Sequence, residues 1–184
     1  MAEIRMSTAG MKLLYAAETE AGTRPTTGWK EIPEVTEMPE TSAAPETIDA
    51  TPLSSTKFRV YVPGLIDLGG ALSYTANFSQ NLLELWNETI VKDYEKNIAE
   101  NKATWFCVYI PGFDDALYYT GVPTKIGGPA ASVGEVLRIT LPITPSNEPD
   151  WYDKPTDIAT VAYSDTMKVS VPVTSKKSNN DVEV

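Results

Sequence analysis

Histidine is absent from the 184 residues of this chain. Its absence removes the commonest general base and the commonest imidazole metal ligand, so Ser-His-Asp and Cys-His arrangements cannot be built within the chain. Cysteine is nearly absent: Cys107 stands alone. One cysteine excludes an internal disulfide and leaves a zinc site dependent on carboxylates, a poor donor set. The N-terminus has no signal-peptide pattern, and the expectation is synthesis in a reducing compartment. No apolar run is long enough to span a bilayer. Positive charge is scarce, with 15 Lys and Arg against 25 Asp and Glu, for a net charge of −10. A surface that grips nucleic-acid phosphates or anionic lipid is therefore not expected. No GxGxxG, P-loop or acidic calcium loop is present, and Gly127-Gly128-Pro129 reads as turn chemistry rather than a phosphate cradle. Carboxylate-pair chemistry is the catalytic option that survives. These absences lean towards a binding or structural protein with no cofactor and no metal.

The chain is long enough to bury a core, with 42% hydrophobic and 22% charged residues. MKLLYAA at residues 11–17 reads as a first strand. From Glu18 to Lys57 the pattern dissolves, apart from a short strand near Trp29–Ile32, and prolines recur at 25, 33, 39, 45 and 52. Up to Asp49 this segment carries eight acids against Arg24 and Lys30 only. A loop of this length is usually functional or disordered. Its spaced apolar residues, Trp29, Ile32, Val35, Met38, Ile48 and Leu53, are candidates to dock on something. The loop alone has too little apolar surface to offset the entropy of ordering it, about 1–2 kcal/mol per residue.

Phe58, Val60 and Val62 alternate with polar positions and predict a half-buried strand, followed by a turn at PGLIDLGG and a return strand through Leu72, Tyr74, Ala76 and Phe78. Leu65, Ile66 and Leu68 at that turn call for a cover. A single helix is predicted at about 82–98, with Leu82, Leu83, Trp86, Ile90, Tyr94 and Ile98 in one stripe. Asn81 with Glu84 has the form of a capping box, and Ser79 is the rival cap. WFCVYIPG at 105–112 is continuously apolar and predicts a strand covered on both faces, and LYYTGVPTKIGG pairs with residues 136–143. Alternation at Met167, Val169, Val171 and Val173 allows a last strand before a polar end from Ser175. The expected fold is all-β with one helix, a sandwich or barrel of short antiparallel strands with a long loop (18–57) before the central hairpin. A β domain is expected over residues 1–150, with a C-terminal extension over 151–184.

Four stretches carry a resemblance. IPEV at 32–35, ETIDAT at 46–51 followed by Leu53, YVPGLIDLGG at 61–70 and GEVLRITLPITPS at 134–146 resemble the signature of the major tail tube protein of long non-contractile-tailed bacteriophages. That family is similar in fold to the type VI secretion tube protein. The likeness spans roughly 29–146, and the tail after Trp151 departs from it. The resemblance implies a non-enzymatic virion protein that forms hexameric rings by joining sheets edge to edge. The rings would stack around a tape-measure protein, between terminator and baseplate proteins, as a conduit through which DNA passes without specific binding. The long loop would reach the neighbouring ring, and the expected assembly residues are Ile32, Val35, Ile48, Leu53, Leu65, Ile66 and Leu68. An acidic wall would not hold a passing polyanion. Two other classes compete: a carbohydrate-binding β-sandwich, suggested by nine Tyr and four Trp, and a carboxylate hydrolase using Asp150 or Asp153.

Overall fold

Strand β1, Lys12–Ala17, runs KLLYAA, and four consecutive side chains, Leu13 to Ala16, are buried. Successive strand residues point to opposite faces, so a run of this kind must be covered on both. The computed structural model describes residues 8–42, 45–66, 68, 70–129 and 131–159. Within them β1 lies antiparallel between β2, Trp29–Ile32, and β7, Thr104–Tyr109. One face contributes Leu13, Tyr15, Phe106 and Val108 to the main core. The other contributes Leu14, Ala16 and Cys107 to a second, smaller cluster with Trp29, Ala116 and Tyr118. The expectation that residues 105–112 are covered on both faces holds for the strand they form.

The remaining strands are β3 (Val35–Glu37), β4 (Pro45–Asp49), β5 (Tyr61–Ile66), β6 (Leu72–Asn77), β8 (Asp115–Pro123), β9 (Arg138–Pro145), β10 (Asp150–Asp153) and β11 (Ile158–Ala159). Nine of the eleven join one curled sheet in the order β11-β2-β1-β7-β8-β9-β6-β3, with β10 also on β8. Strands β2 and β3 lie near opposite ends of that order, yet only Pro33 and Glu34 separate them in sequence. Two residues span at most about 10 Å between strand ends, so the sheet curls until its ends approach, as a half-barrel. Glu34 takes the left-handed backbone the link needs (φ 63°), and its carbonyl accepts from Asn77 N.

Strand β8 is the other corner. Its first half pairs with β10 and its last three residues with β9, along the same edge. A Cβ on Gly121 would stand 2.6 Å from Ile143 Cγ2 and 3.1 Å from the Thr144 carbonyl. Glycine is what allows the backbones to approach there.

One helix, α1, packs on the inner face. It runs as an α segment Gln80–Glu84, a π segment Leu85–Ile90 and an α segment Val91–Ala99. Ser79 is its N-cap, accepting from Leu82 N at 3.2 Å, so the Asn81–Glu84 box is not the cap used. The buried side is Leu82, Trp86 and Ile90, as the stripe predicts, but then Val91 and Asn97 rather than Ile98, which is 54% exposed. The π turn inserts a residue and rotates everything after it. Trp86 Nε1 donates to Thr124 O at 2.8 Å, while the Asn87 amide both donates to and accepts from the Ile126 backbone. These bonds fasten the helix to the end of β8.

Two expectations are corrected. The short strand expected near Trp29–Ile32 forms as β2, but the rest of 18–57 is not one structureless loop, since β3 and β4 also lie inside it. The predicted hairpin of 58–62 with 72–78 does not form: β6 pairs with β9 and β3, and among the described residues β5 pairs with β4 alone. The C-terminal strand expected at 167–173 and the polar end lie outside the described residues.

Candidate assembly surface

The hairpin β4–β5 forms a two-stranded sheet of its own and joins none of the nine. Its register runs from Pro45 opposite Ile66 to Asp49 opposite Tyr61, with Ile48 facing Val62 and a bulge between Pro45 and Thr47. Gly64 sits 3.0 Å, measured from a virtual Cβ, below the Glu46 carbonyl, and Ile48 Cδ1 lies 3.3 Å from the same point. Any larger residue would push the strands apart.

Polar groups hold the outer end. Ala50 N donates to Val60 O, and Thr51 Oγ1 accepts from Val60 N at 2.9 Å. Ser55 Oγ donates to Phe58 O at 2.7 Å. Asp49 accepts from Thr51 N at 2.9 Å, and its bonds with Thr51 lower the Asp49 carboxyl pKa. Arg59 lies 4.0 Å from Asp49, with both side chains largely in solvent.

The apolar side chains, by contrast, have no cover among the described residues. Leu53 is fully exposed, Leu65 is 87% and Phe58 81% exposed, and Ile48, Val60, Tyr61, Val62 and Ile66 are exposed as well. An isolated two-stranded hairpin is marginal in water, and contiguous apolar exposure on this scale marks an interaction surface.

Among the residues expected at an assembly surface, Ile48, Leu53, Leu65 and Ile66 fall together on this arm, and Leu68 lies half-buried at its root. Ile32 does not belong with them. It is 2% exposed and sits in the chain's own core with Leu13, so it has no surface to offer a neighbour. Val35, half-buried on β3, packs against the same core. Phe58, Val60 and Val62 were expected on a half-buried strand and stand in solvent instead. The available warning was Pro63 inside the strand, since proline confines a strand to a sheet edge.

At the root of the arm lies a groove of about 760 Å³, lined in part by Ile66, Leu68, Leu117, Pro149 and Trp151. Trp151 stacks on Phe113 with centroids 6.1 Å apart. Nearby, Arg24 lies 4.6 Å from the ring centroids of both Tyr118 and Tyr152, closing the outer cluster.

Elsewhere the polar groups serve the fold. Glu18 is buried and accepts from Trp105 Nε1 (2.8 Å), Ala103 N (2.9 Å) and Gly22 N (3.0 Å). Burial pushes its carboxyl pKa up, but these three donors outweigh it and hold the pKa below the ordinary value. Burial also pushes the Cys107 thiol up to about 12. Asp150 and Asp153 both lie on exposed β10, where the Asp150 carboxylate accepts from Trp151 N. Of the aromatics, Trp29, Trp86, Tyr74, Tyr118, Tyr119 and Phe106 are fully buried and form no exposed platform.

The curled sheet with its helix is similar in fold to chains of injection particles. Two solved structures carry the likeness. One is a chain of the anti-feeding prophage (AFP) baseplate, 6-fold symmetrised, with TM-score 0.51 and 8% identity, covering 83% of this chain and 98% of that one. The other is from an extracellular contractile injection system, the PVC sheath/tube terminator in its extended state, with TM-score 0.50 and 10% identity, covering 83% and 99%. The SPP1 tail tube matches at TM-score 0.41 and 11% identity, over 82% of this chain and 81% of that one. No known family model matches the sequence, and no curated protein matches it.

Proposed function

We propose that this chain is a structural component of a phage-type tail that self-assembles into rings, stacked as the tail tube. The observation that carries the proposal is the arm at residues 45–66: a hairpin whose strands pair with each other and whose apolar side chains stay exposed, with no cover among the described residues. A monomer that exposes such a surface is prone to aggregation, whereas a ring or stack buries it. The likeness to chains of a 6-fold symmetrised baseplate and a tube terminator supports the same reading and favours six subunits per ring. In this reading the tube encloses a tape-measure protein, meets terminator and baseplate proteins at its ends, and conducts DNA past an acidic wall without binding it. The protein resides in the virion tail and has no catalytic role. In this reading the chain from residue 151 extends the tail-tube-like β domain, and its described start supplies most of β10 and all of β11 to the same sheet.

Electron microscopy of the purified full chain across a concentration series tests this. Rings or tubes are expected at high concentration. A chain that stays monomeric at every concentration contradicts the proposal.

A further inference from the structure

The arm needs a seat, and the molecule offers one of matching chemistry. The outer end of the arm, residues 50–60, combines exposed Leu53 and Phe58 with two bases, Lys57 and Arg59, and no acid. In a chain of net charge −10 this is an unusually basic stretch. The root groove has the opposite character. Leu117, Pro149 and Trp151 give it apolar walls, and Glu148 is the only charge among its described lining residues.

The groove cannot be filled by the tip of its own arm. The paired register holds β5 extended from Ile66 at the root to Tyr61. Five residue steps carry the chain about 17 Å away, and Leu53 and Phe58 lie beyond that point. Folding the tip back would break the hairpin. A tip from another copy meets no such obstacle. Its contact is head-to-tail, so the pair still has one free tip and one free groove, and the contact can repeat from copy to copy.

We propose that the root groove receives the arm tip of a second copy, seating Leu53 and Phe58 against Leu117, Pro149 and Trp151 and bringing Lys57 to Glu148. This inference rests on the tube reading above and names the receiving surface within it. Apolar anchors in a pocket supply the affinity, and the charge pair sets the register.

Cross-linking between two full-length variants tests it. One carries Leu53→Cys and the other Ser146→Cys, at the rim of the groove; native Cys107 is buried and contributes no background. Mild oxidation of the mixture at assembling concentration is expected to give a mixed disulfide dimer that neither variant gives alone. Tubes seen by microscopy without that dimer would overturn the groove and leave the tube reading standing. A mixture that neither assembles nor cross-links would overturn both. As a second readout, Lys57→Glu is expected to raise the concentration needed for assembly at least tenfold, and adding Glu148→Lys to the same chain to restore it. A double variant no better than Lys57→Glu counts against the pairing.

Discussion

Strands β5 and β6 have the same length, six residues each, and both are rich in apolar side chains. Their fates differ. In β6, Leu72, Tyr74 and Ala76 are buried, because β9 and β3 flank the strand and the helix lies over its inner face. In β5 no residue is buried, because β4 is its sole strand neighbour among the described residues. Periodicity in a strand reports that one face is apolar. It does not report whether the cover comes from the same chain or from another copy.

The comparison breaks first at the body. Trp86 is fully buried and bonded through Nε1 to Thr124 O. Trp86→Ala is expected to cost about 3–5 kcal/mol, read as a large loss in denaturant midpoint. Phe58→Ala on the arm should shift the same midpoint by about 0.5 kcal/mol or less. Equal losses would mean that the arm belongs to the subunit's own core.

Gly121→Ala tests the corner where β8 changes partners. The new methyl meets Ile143 Cγ2 at 2.6 Å and a backbone carbonyl at 3.1 Å. Overpacking of this kind costs about 1–3 kcal/mol, checked by thermal melting.

Glu18→Gln should cost about 1–3 kcal/mol at neutral pH, because a carboxylate bonded to three donors becomes an amide. The folded-state pKa of Glu18 lies below its ordinary value of 4.5. Its stabilisation is therefore complete above the unfolded carboxylate range and is lost as the pH falls through the folded value. The gap between wild type and Glu18→Gln should close on acidification. A gap that widens in acid would show that the lowered pKa is wrong.

The smallest effect on the isolated subunit, and the largest on assembly, is expected of Ile48→Asp. An exposed residue becomes a charge, which costs the monomer almost nothing but buries uncompensated at a contact. Circular dichroism should be unchanged and microscopy should show few tubes. Normal tubes would place the contact elsewhere, and an unfolded chain would place Ile48 in the core.

Much of the fold was legible in the residues. The helix, the twice-covered strand at 104–109 and the pairing of β8 with β9 follow from periodicity and from runs of apolar residues. The pairing of β4 with β5 did not, because register between distant strands depends on what each strand meets in space. The shift from Ile98 to Asn97 on the buried side of α1 also escaped, since nothing in 3.6-residue periodicity announces a π turn. Ile48, Leu53, Leu65 and Ile66 stand exposed on one arm, and the signal that singled them out was apolar residues at loop and turn positions. Ile32 was misplaced for the same reason, because it lies in the same proline-rich segment but on a strand that the core claims. Phe58, Val60 and Val62 were missed because their alternation is indistinguishable from that of a buried strand.

The central claim is that the arm is finished only by another copy. Hydrogen exchange at residues 45–66, compared between dilute subunits and assembled material, addresses it most directly. The account predicts amides that exchange far faster than those of β1, β7 and β8 when the chain is dilute, and strong protection of the same amides on assembly. Protection of the arm already present in the dilute monomer, or an arm that exchanges equally fast in the assembled state, would contradict it.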